Sequence, residues 1–179
     1  MPFFIKIDNL IDKANRTNTN FIYFICVLLV FIVNIFLNVH VGFSNWIEIS
    51  GTIIQIAIPA YALVPVVWKK DKNGAIQMIK LLCIVLVVTY ILKFTIPEKR
   101  PYGGSMSFPS GHTTGAFSGA MYLGLRYGLR YFIISTPLAL FVAFSRIYSR
   151  NHWPMDVIAS IILCVIVALF IVKSWEKES

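Results

Sequence analysis

The chain has 179 residues, of which 58% are hydrophobic and only 13% are charged. This composition lies far from that of a soluble globular domain and indicates a protein whose solvent is the lipid bilayer. The formal charge of +8 does not indicate a nucleic-acid-binding protein, because the basic residues are scattered among the connections between apolar stretches. That distribution suits an anionic lipid surface and a phosphate-bearing ligand.

Charged side chains alternate with aromatic and aliphatic ones over residues 1–20. The pattern is typical of an amphipathic helix that lies in the membrane interface. No short apolar core with a small-residue cleavage site comes first, so we do not expect a cleavable signal peptide.

Six apolar stretches follow, each near the length of about 20 residues that crosses a hydrocarbon core of roughly 30 Å. In chain order they cover residues 21–39, 51–68, 75–92, 110–125, 131–148 and 154–172. The fourth is short and rich in Gly, Ala and Ser, which is typical of a helix packed closely against its neighbours. We therefore expect one all-α domain over residues 1–179: a six-transmembrane helix bundle with an N-terminal amphipathic interfacial helix.

The positions of Lys and Arg predict the orientation of this bundle. One face would carry the cations of both termini and of the second and fourth connections: Lys6, Lys13, Arg16, Lys69, Lys70, Lys72, Arg126, Arg130, Lys173 and Lys177. The positive-inside rule makes that face cytoplasmic. A first loop over residues 40–50 has no Lys or Arg. The remaining outer cations are Lys93, Lys99, Arg100, Arg146 and Arg150, in the two connections with the most unusual chemistry.

Three segments on the outer side concentrate residues that can carry chemistry. The first runs from Lys93 through six residues to Arg100 and Pro101, and the second is Pro109-Ser110-Gly111-His112 at the start of the fourth span. The third is Ser145-Arg146, five residues, His152, three residues and Asp156. Ionisable groups at membrane depth are costly, so each needs a partner or a function.

The second segment predicts an anion site. Pro is favoured at the first helical position, and a helix N-terminus attracts anions through its free N–H groups and its dipole. The tetrapeptide alone is also typical of an ordinary helix cap. His112 beside it adds a group that can transfer a proton near neutral pH.

The third segment places a carboxylate four residues after a histidine, at the start of the sixth span. Asp156 could accept a hydrogen bond from one ring nitrogen of His152 and leave the other nitrogen facing a pocket. A buried pair with a purely structural role has the same spacing. Lys93, Arg100 and Arg146 could hold phosphate oxygens, although a single basic residue at a helix end often only reaches for the interface.

Metal sites fit the sequence poorly. Haem would require paired histidines deep within the spans, and zinc would require a further Cys or His near His112 or His152. The cysteines Cys26, Cys83 and Cys164 lie within apolar stretches without CxxC spacing, so we interpret them as packing residues. We expect neither a metal nor a cofactor.

The three segments, in this order and spacing, resemble the signature of the type 2 phosphatidic acid phosphatase superfamily, and every signature position over residues 93–156 is matched. The resemblance implies that His152 is a nucleophile that forms a phosphohistidine, that Asp156 orients it, and that His112 protonates the leaving oxygen and then activates water. It also implies that the phosphate is held by Lys93, Arg100, Arg146, the side chain of Ser110 and the N–H of Gly111.

The resemblance further implies a metal-independent lipid phosphatase in the inner membrane of a bacterium, with its site on the outer, periplasmic face and both termini in the cytoplasm. The expected partners are a phosphorylated membrane lipid and the bilayer, and not nucleic acid. Among members of this kind we expect an enzyme similar to the lipid A 1-phosphatases, because the chain is short and has no large outer loop between its first and second spans. Phosphatidylglycerophosphate, phosphatidic acid and undecaprenyl diphosphate are alternative substrates. Phosphate transfer to a second lipid and non-enzymatic lipid binding or transport are alternative functions.

Overall fold

A computed structural model describes residues 43–175 of the chain, with side-chain detail from residue 45 onward. Within that range it contains five α-helices and no strand: α1 (Phe43–Trp68), α2 (Lys72–Thr95), α3 (Gly111–Tyr127), α4 (Leu129–Tyr148) and α5 (Pro154–Ile171). The predicted all-α class is therefore confirmed for these residues. The predicted interfacial helix and the first predicted span lie outside the described residues.

The start of α1 corrects the sequence prediction. The helix begins at Phe43, whereas residues 40–50 were expected to form a loop. Apolar content marks only the part of a helix that crosses hydrocarbon, and α1 continues beyond it with polar residues. These residues bond within the helix, since Ser50 donates to the carbonyl of Trp46 and Thr52 to that of Glu48.

Four of the five described helices, α1, α2, α4 and α5, are long and apolar enough to cross a membrane. Their outward faces carry large apolar side chains that lipid, but not water, solvates well. Examples are Val67, Val87, Phe94, Ile133, Leu140, Ile162, Leu169 and Phe170. This pattern is that of a multi-pass membrane protein, while the number of six spans stays a prediction.

The remaining helix, α3, is central to the described bundle. It has only 17 residues, and it contacts all four of the other described helices. Most of its side chains are buried, including the small residues Ala116, Ser118 and Ala120. Because protein surrounds α3, small residues that allow close approach are more useful there than large apolar ones.

A buried ion pair joins the connection between α1 and α2 to the end of α3. Arg126 donates to both carboxylate oxygens of Asp71 at 2.6 and 2.8 Å. Burial alone would raise the pKa of Asp71, but the hydrogen bonds from Arg126, the Gly74 N–H and Tyr127 lower it. Arg126 also donates to the carbonyls of Lys173 and Ser174. The charged and polar groups at this end of the bundle are therefore hydrogen-bonded to one another.

The close approach of α3 to α1 depends on Gly119. A Cβ atom there would lie 2.9 Å from the backbone nitrogen of Pro59 and 3.0 Å from Cγ2 of Ile58. Backbone cannot move aside as a flexible side chain can. One turn earlier, a Cβ on Gly115 would lie 3.6 Å from the nearest atom, Oε1 of Gln55, which is an ordinary contact.

We predict that Gly119→Ala destabilises the protein by about 1–3 kcal/mol, because the added methyl forces α1 and α3 apart. The matched variant Gly115→Ala should unfold at the wild-type temperature or higher, since Ala favours a helix over Gly by up to about 1 kcal/mol. Thermal unfolding of the purified proteins in detergent measures both. Equal midpoints for the two variants would contradict the packing of α3 on α1.

Candidate active site

The two connections that carry the sequence motifs pack together at one end of the bundle. Trp153, between α4 and α5, donates its indole N–H to the carbonyl of Lys99, between α2 and α3, at 2.9 Å. The N–H of Ser110 donates to the carbonyl of Asp156 at 3.3 Å. Segments that are far apart in the sequence therefore meet at this end, as the sequence predicts.

His152 and Asp156 form the buried pair expected from their spacing. Nδ1 of His152 lies 3.3 Å from Oδ2 of Asp156, and the side chains are 3% and 0% exposed. His152 is not in the helix, however, because α5 begins at Pro154. The pair is made across the helix N-terminus, where the N–H of Trp153 also donates to Oδ2 at 2.9 Å. A carboxylate is favoured there by the helix dipole.

The surroundings of His152 keep its imidazole neutral. Burial, followed by the positive charges of Lys93 and Arg100, lowers the pKa of His152 from 6.5 to about 4, although Asp156 acts in the opposite direction. At neutral pH the ring therefore has one N–H and one lone pair. With Nδ1–H donated to Asp156, the lone pair is on Nε2, as a nucleophile requires.

Lys93 and Arg100 have no carboxylate partner among the described residues. Nζ of Lys93 donates to the carbonyls of Met106 and Ser107 at 2.8 and 3.4 Å. Nε of Arg100 donates to the carbonyl of Ser105 at 3.1 Å. Nη1 of Arg100 donates to the hydroxyl of Tyr102 at 3.2 Å. The positive charges of both residues are therefore solvated by neutral groups, so this end of the bundle is ready to bind an anion.

The Pro-Ser-Gly-His segment caps α3 differently from the prediction. Pro109 precedes the cap instead of taking the first helical position, because Ser110 is the N-cap residue and α3 begins at Gly111. Oγ of Ser110 accepts hydrogen bonds from the N–H and the hydroxyl of Thr113 at 3.4 and 3.0 Å. The segment still provides a helix N-terminus with His112 in its first turn.

One cavity of about 700 Å³ contacts all three motif segments. It is lined at this end by Lys93, Arg100, Gly111, His112 and His152. The rest of its lining comes mainly from apolar residues of α1 and α2, among them Ile56, Leu63, Met78, Ile79, Leu82 and Leu86. The cavity thus joins a cationic, histidine-bearing end to a long apolar part.

Three of the predicted site residues do not line this cavity. Asp156 is fully buried behind His152. Oγ of Ser110 accepts the capping hydrogen bonds from Thr113. Arg146 is 2% exposed and donates to the carbonyl of Glu48 in α1. Their assignment as groups that touch a phosphate or orient the nucleophile stays a prediction.

Several residues at this end were not predicted from the sequence. Glu48 accepts hydrogen bonds from Arg146 and from the side chain of Asn151. Gly51 allows that approach, because a Cβ there would lie 2.6 Å from Nη2 of Arg146. Ser107 donates its hydroxyl to Oδ2 of Asp156 at 2.5 Å. Its position three residues before Ser110 is the one signal in the sequence that could have drawn attention to Ser107.

Comparison with known proteins places the chain in a family. The profile of the PAP2 superfamily matches residues 74–179, a stretch that includes all three motif segments. The chain therefore belongs to the PAP2 superfamily, and its long apolar helices make it a multi-pass membrane protein.

The curated relatives carry two kinds of name. The chain is 29% identical over 118 residues to an undecaprenyl-diphosphatase of Sulfolobus acidocaldarius, covering 59% of this chain and 57% of that one. It is 30% identical to the undecaprenyl-diphosphatase BcrC of Bacillus subtilis, covering 64% of this chain and 67% of that one. It is 35% identical over 79 residues to a lipid A 1-phosphatase of Porphyromonas gingivalis, covering 42% of this chain and 18% of that one.

Among solved structures, the chain is similar to LpxE of Aquifex aeolicus. The TM-score is 0.60 at 22% identity, and the match covers 77% of this chain and 92% of that chain. At this identity the similarity establishes the helical fold.

We predict that His152 titrates with a midpoint near pH 4, and that Lys93→Gln raises this midpoint, because a positive charge that disfavours the imidazolium has been removed. The matched charge deletion Lys99→Gln should leave it unchanged, since Lys99 does not contribute to the shift. Histidine NMR titration of the detergent-solubilised protein measures all three. A wild-type midpoint near 6.5, or equal midpoints in the two variants, would contradict this electrostatic account.

Proposed function

We propose that this chain hydrolyses a lipid phosphate through a phosphohistidine formed on His152, with residues 1–179 acting as one domain. The observation that carries the proposal is that one cavity is lined by His152, His112, Lys93 and Arg100 and continues into an apolar part. Nucleophile, proton carrier and cations would then surround one phosphate while the lipid tail stays among apolar side chains.

The reaction would proceed in two displacements. His112 takes up a proton together with the negatively charged phosphate. Nε2 of His152 attacks phosphorus, and the bond from phosphorus to the lipid oxygen breaks as His112 gives that oxygen its proton. Water then loses a proton to His112 and attacks the phosphohistidine, which releases inorganic phosphate and restores both imidazoles. Asp156 holds Nδ1–H of His152 throughout and balances the positive charge that develops on the ring.

The phosphate would be held by the cations and the start of α3. Lys93 and Arg100 donate to neutral groups, the carbonyls of Met106 and Ser105 and the hydroxyl of Tyr102, and a phosphate would take over those donors with stronger, charge-assisted bonds. The N–H of Gly111 adds a donor at a helix N-terminus. Ser110 and Arg146, which lie behind this surface, would contribute through their positive or dipolar field.

These groups supply the acid, the base and the positive charge from the chain itself. Among residues 43–175 no three His, Cys, Asp or Glu side chains are grouped as metal ligands would be. We therefore propose that the reaction needs no metal ion and proceeds in the presence of a chelator.

Two substrates have specific support. Lipid A 1-phosphate is the first choice from the sequence, because the chain is short and no large loop is predicted between its first two apolar stretches, and two relatives are named for that activity. The length of the cavity favours a lipid with a long hydrocarbon tail. The cavity follows α2 from Lys93 to Ala75, a rise of about 27 Å at 1.5 Å per residue, which is deeper than one leaflet of a core of about 30 Å. A long single chain such as that of undecaprenyl diphosphate would fill it, and two relatives are named for that substrate.

The site would face the outer side of a bacterial inner membrane, with both termini in the cytoplasm. The end of the bundle opposite the site carries Lys69, Lys70, Lys72, Arg126, Arg130 and Lys173 within the described residues. This supports a cytoplasmic location for that end by the positive-inside rule.

We predict that the purified protein releases inorganic phosphate, with EDTA present, from at least one of four detergent-dispersed lipids: undecaprenyl diphosphate, lipid A 1-phosphate, phosphatidic acid and phosphatidylglycerophosphate. His152→Ala should lose nearly all of this activity, because no other group can form the phosphorylated intermediate. Colorimetric phosphate release measures both.

A matched control is Lys99→Gln, a charge deletion in the same connection that should keep the wild-type rate. Failure on all four lipids would refute the proposal, and so would full activity of His152→Ala. Radiolabel that appears in a second lipid instead of in free phosphate would show a phosphotransferase.

A further inference from the structure

Ser107 is a fully buried polar residue that lies outside the three motif segments. Its side chain has no exposed surface, and its hydroxyl donates to Oδ2 of Asp156 at 2.5 Å, across 49 positions of the sequence. A hydroxyl in such a place must have a partner, and a carboxylate is the strongest acceptor that it can find.

Oδ2 of Asp156 is thus surrounded by donors from three directions. The hydroxyl of Ser107 comes from the connection between α2 and α3. The N–H of Trp153 comes from the start of α5, and the third donor is Nδ1 of His152. The donors from Ser107 and Trp153 belong to two different segments, and together they set the rotation of the Asp156 carboxylate about its Cβ–Cγ bond. The carboxylate oxygen then faces Nδ1 and selects the imidazole tautomer that has its proton there.

The backbone N–H and carbonyl of Ser107 are also hydrogen-bonded. Its N–H donates to the carbonyl of Glu98 at 2.9 Å, and its carbonyl accepts from Nζ of Lys93 at 3.4 Å. One residue therefore contacts both the cation that lines the cavity and the carboxylate behind the nucleophile. Its position sets the distance between the place where phosphate is held and the atom that attacks it.

We propose that Ser107 is a positioning residue for His152: by binding Asp156 it holds the carboxylate where it fixes the Nδ1–H tautomer and the direction of Nε2. This proposal rests on the proposed function, because the direction of Nε2 matters only if that atom attacks phosphorus. Ser107 touches neither phosphate nor the leaving group in this account, so its effect is on the rate of attack and not on substrate binding.

The test is Ser107→Ala, with Ser135→Ala as the matched control. Ser135 is equally buried, at 1% exposed, but its hydroxyl bonds only to the carbonyl of Tyr131 in its own helix. We expect Ser107→Ala to lower kcat by about 10- to 100-fold with KM within about twofold of wild type, as a misplaced nucleophile requires. Ser135→Ala should keep both constants. A purely structural role for Ser107 would lower the amount of folded Ser107→Ala enzyme without this separation of kcat from KM.

A second measurement does not depend on activity. Nitrogen-15 NMR at neutral pH reports the tautomer of His152, which we expect to be Nδ1–H in wild type and Ser135→Ala and a mixture in Ser107→Ala. If Ser107→Ala does not fold, the nearly isosteric Ser107→Cys, with its weaker donor, takes its place with a smaller change in the same direction.

The outcomes separate the two proposals. Wild-type kcat, or an unchanged tautomer in the folded Ser107 variant, would overturn the role of Ser107. A wild-type protein that releases no phosphate from any lipid would overturn the proposed function, and the tautomer alone would then decide whether Ser107 positions His152.

Discussion

The hydrogen-bonded carboxylate of Asp156 is the interaction on which the outer end of the bundle depends. A carboxylate with no exposed surface costs several kcal/mol unless donors compensate for the lost water. Donors from Ser107, His152 and Trp153 all bond to Oδ2, whereas Oδ1 has no hydrogen-bond partner among the described residues. The bonds to Oδ2 bring the connection between α2 and α3 against the start of α5, and the two histidines then line the same cavity.

Charged side chains are paired at one end of the described bundle, whereas two cations at the other lack a partner of opposite charge. At one end Arg126 and Asp71 neutralise each other, and the carbonyls that follow α5 accept the remaining donors of Arg126. At the other end Lys93 and Arg100 face a cavity, and their hydrogen-bond partners among the described residues are neutral carbonyls and the Tyr102 hydroxyl. The first arrangement stabilises the fold, whereas the second leaves positive charge available to a ligand. This asymmetry is the physical basis for assigning function to one end only.

The sequence predicts those features that depend on local spacing. The pair of His152 and Asp156 follows from a separation of four residues, and the apolar stretches locate the cores of four long helices. The helix ends are less predictable, because α1 extends past the hydrocarbon with polar residues that bond within the helix. Contacts between distant segments are not predictable from spacing. Ser107 reaches Asp156, and Arg146 turns to Glu48 in α1, only because the fold brings them together.

The most direct test of the account is to trap the phosphorylated enzyme. Rapid mixing with a lipid that carries labelled phosphate, followed by alkaline quenching and peptide mass spectrometry, should locate the label on His152 within a single turnover. The account predicts that the label forms before free phosphate appears and then decays as phosphate is released. Phosphate release without any labelled enzyme, or label on another residue, would contradict it.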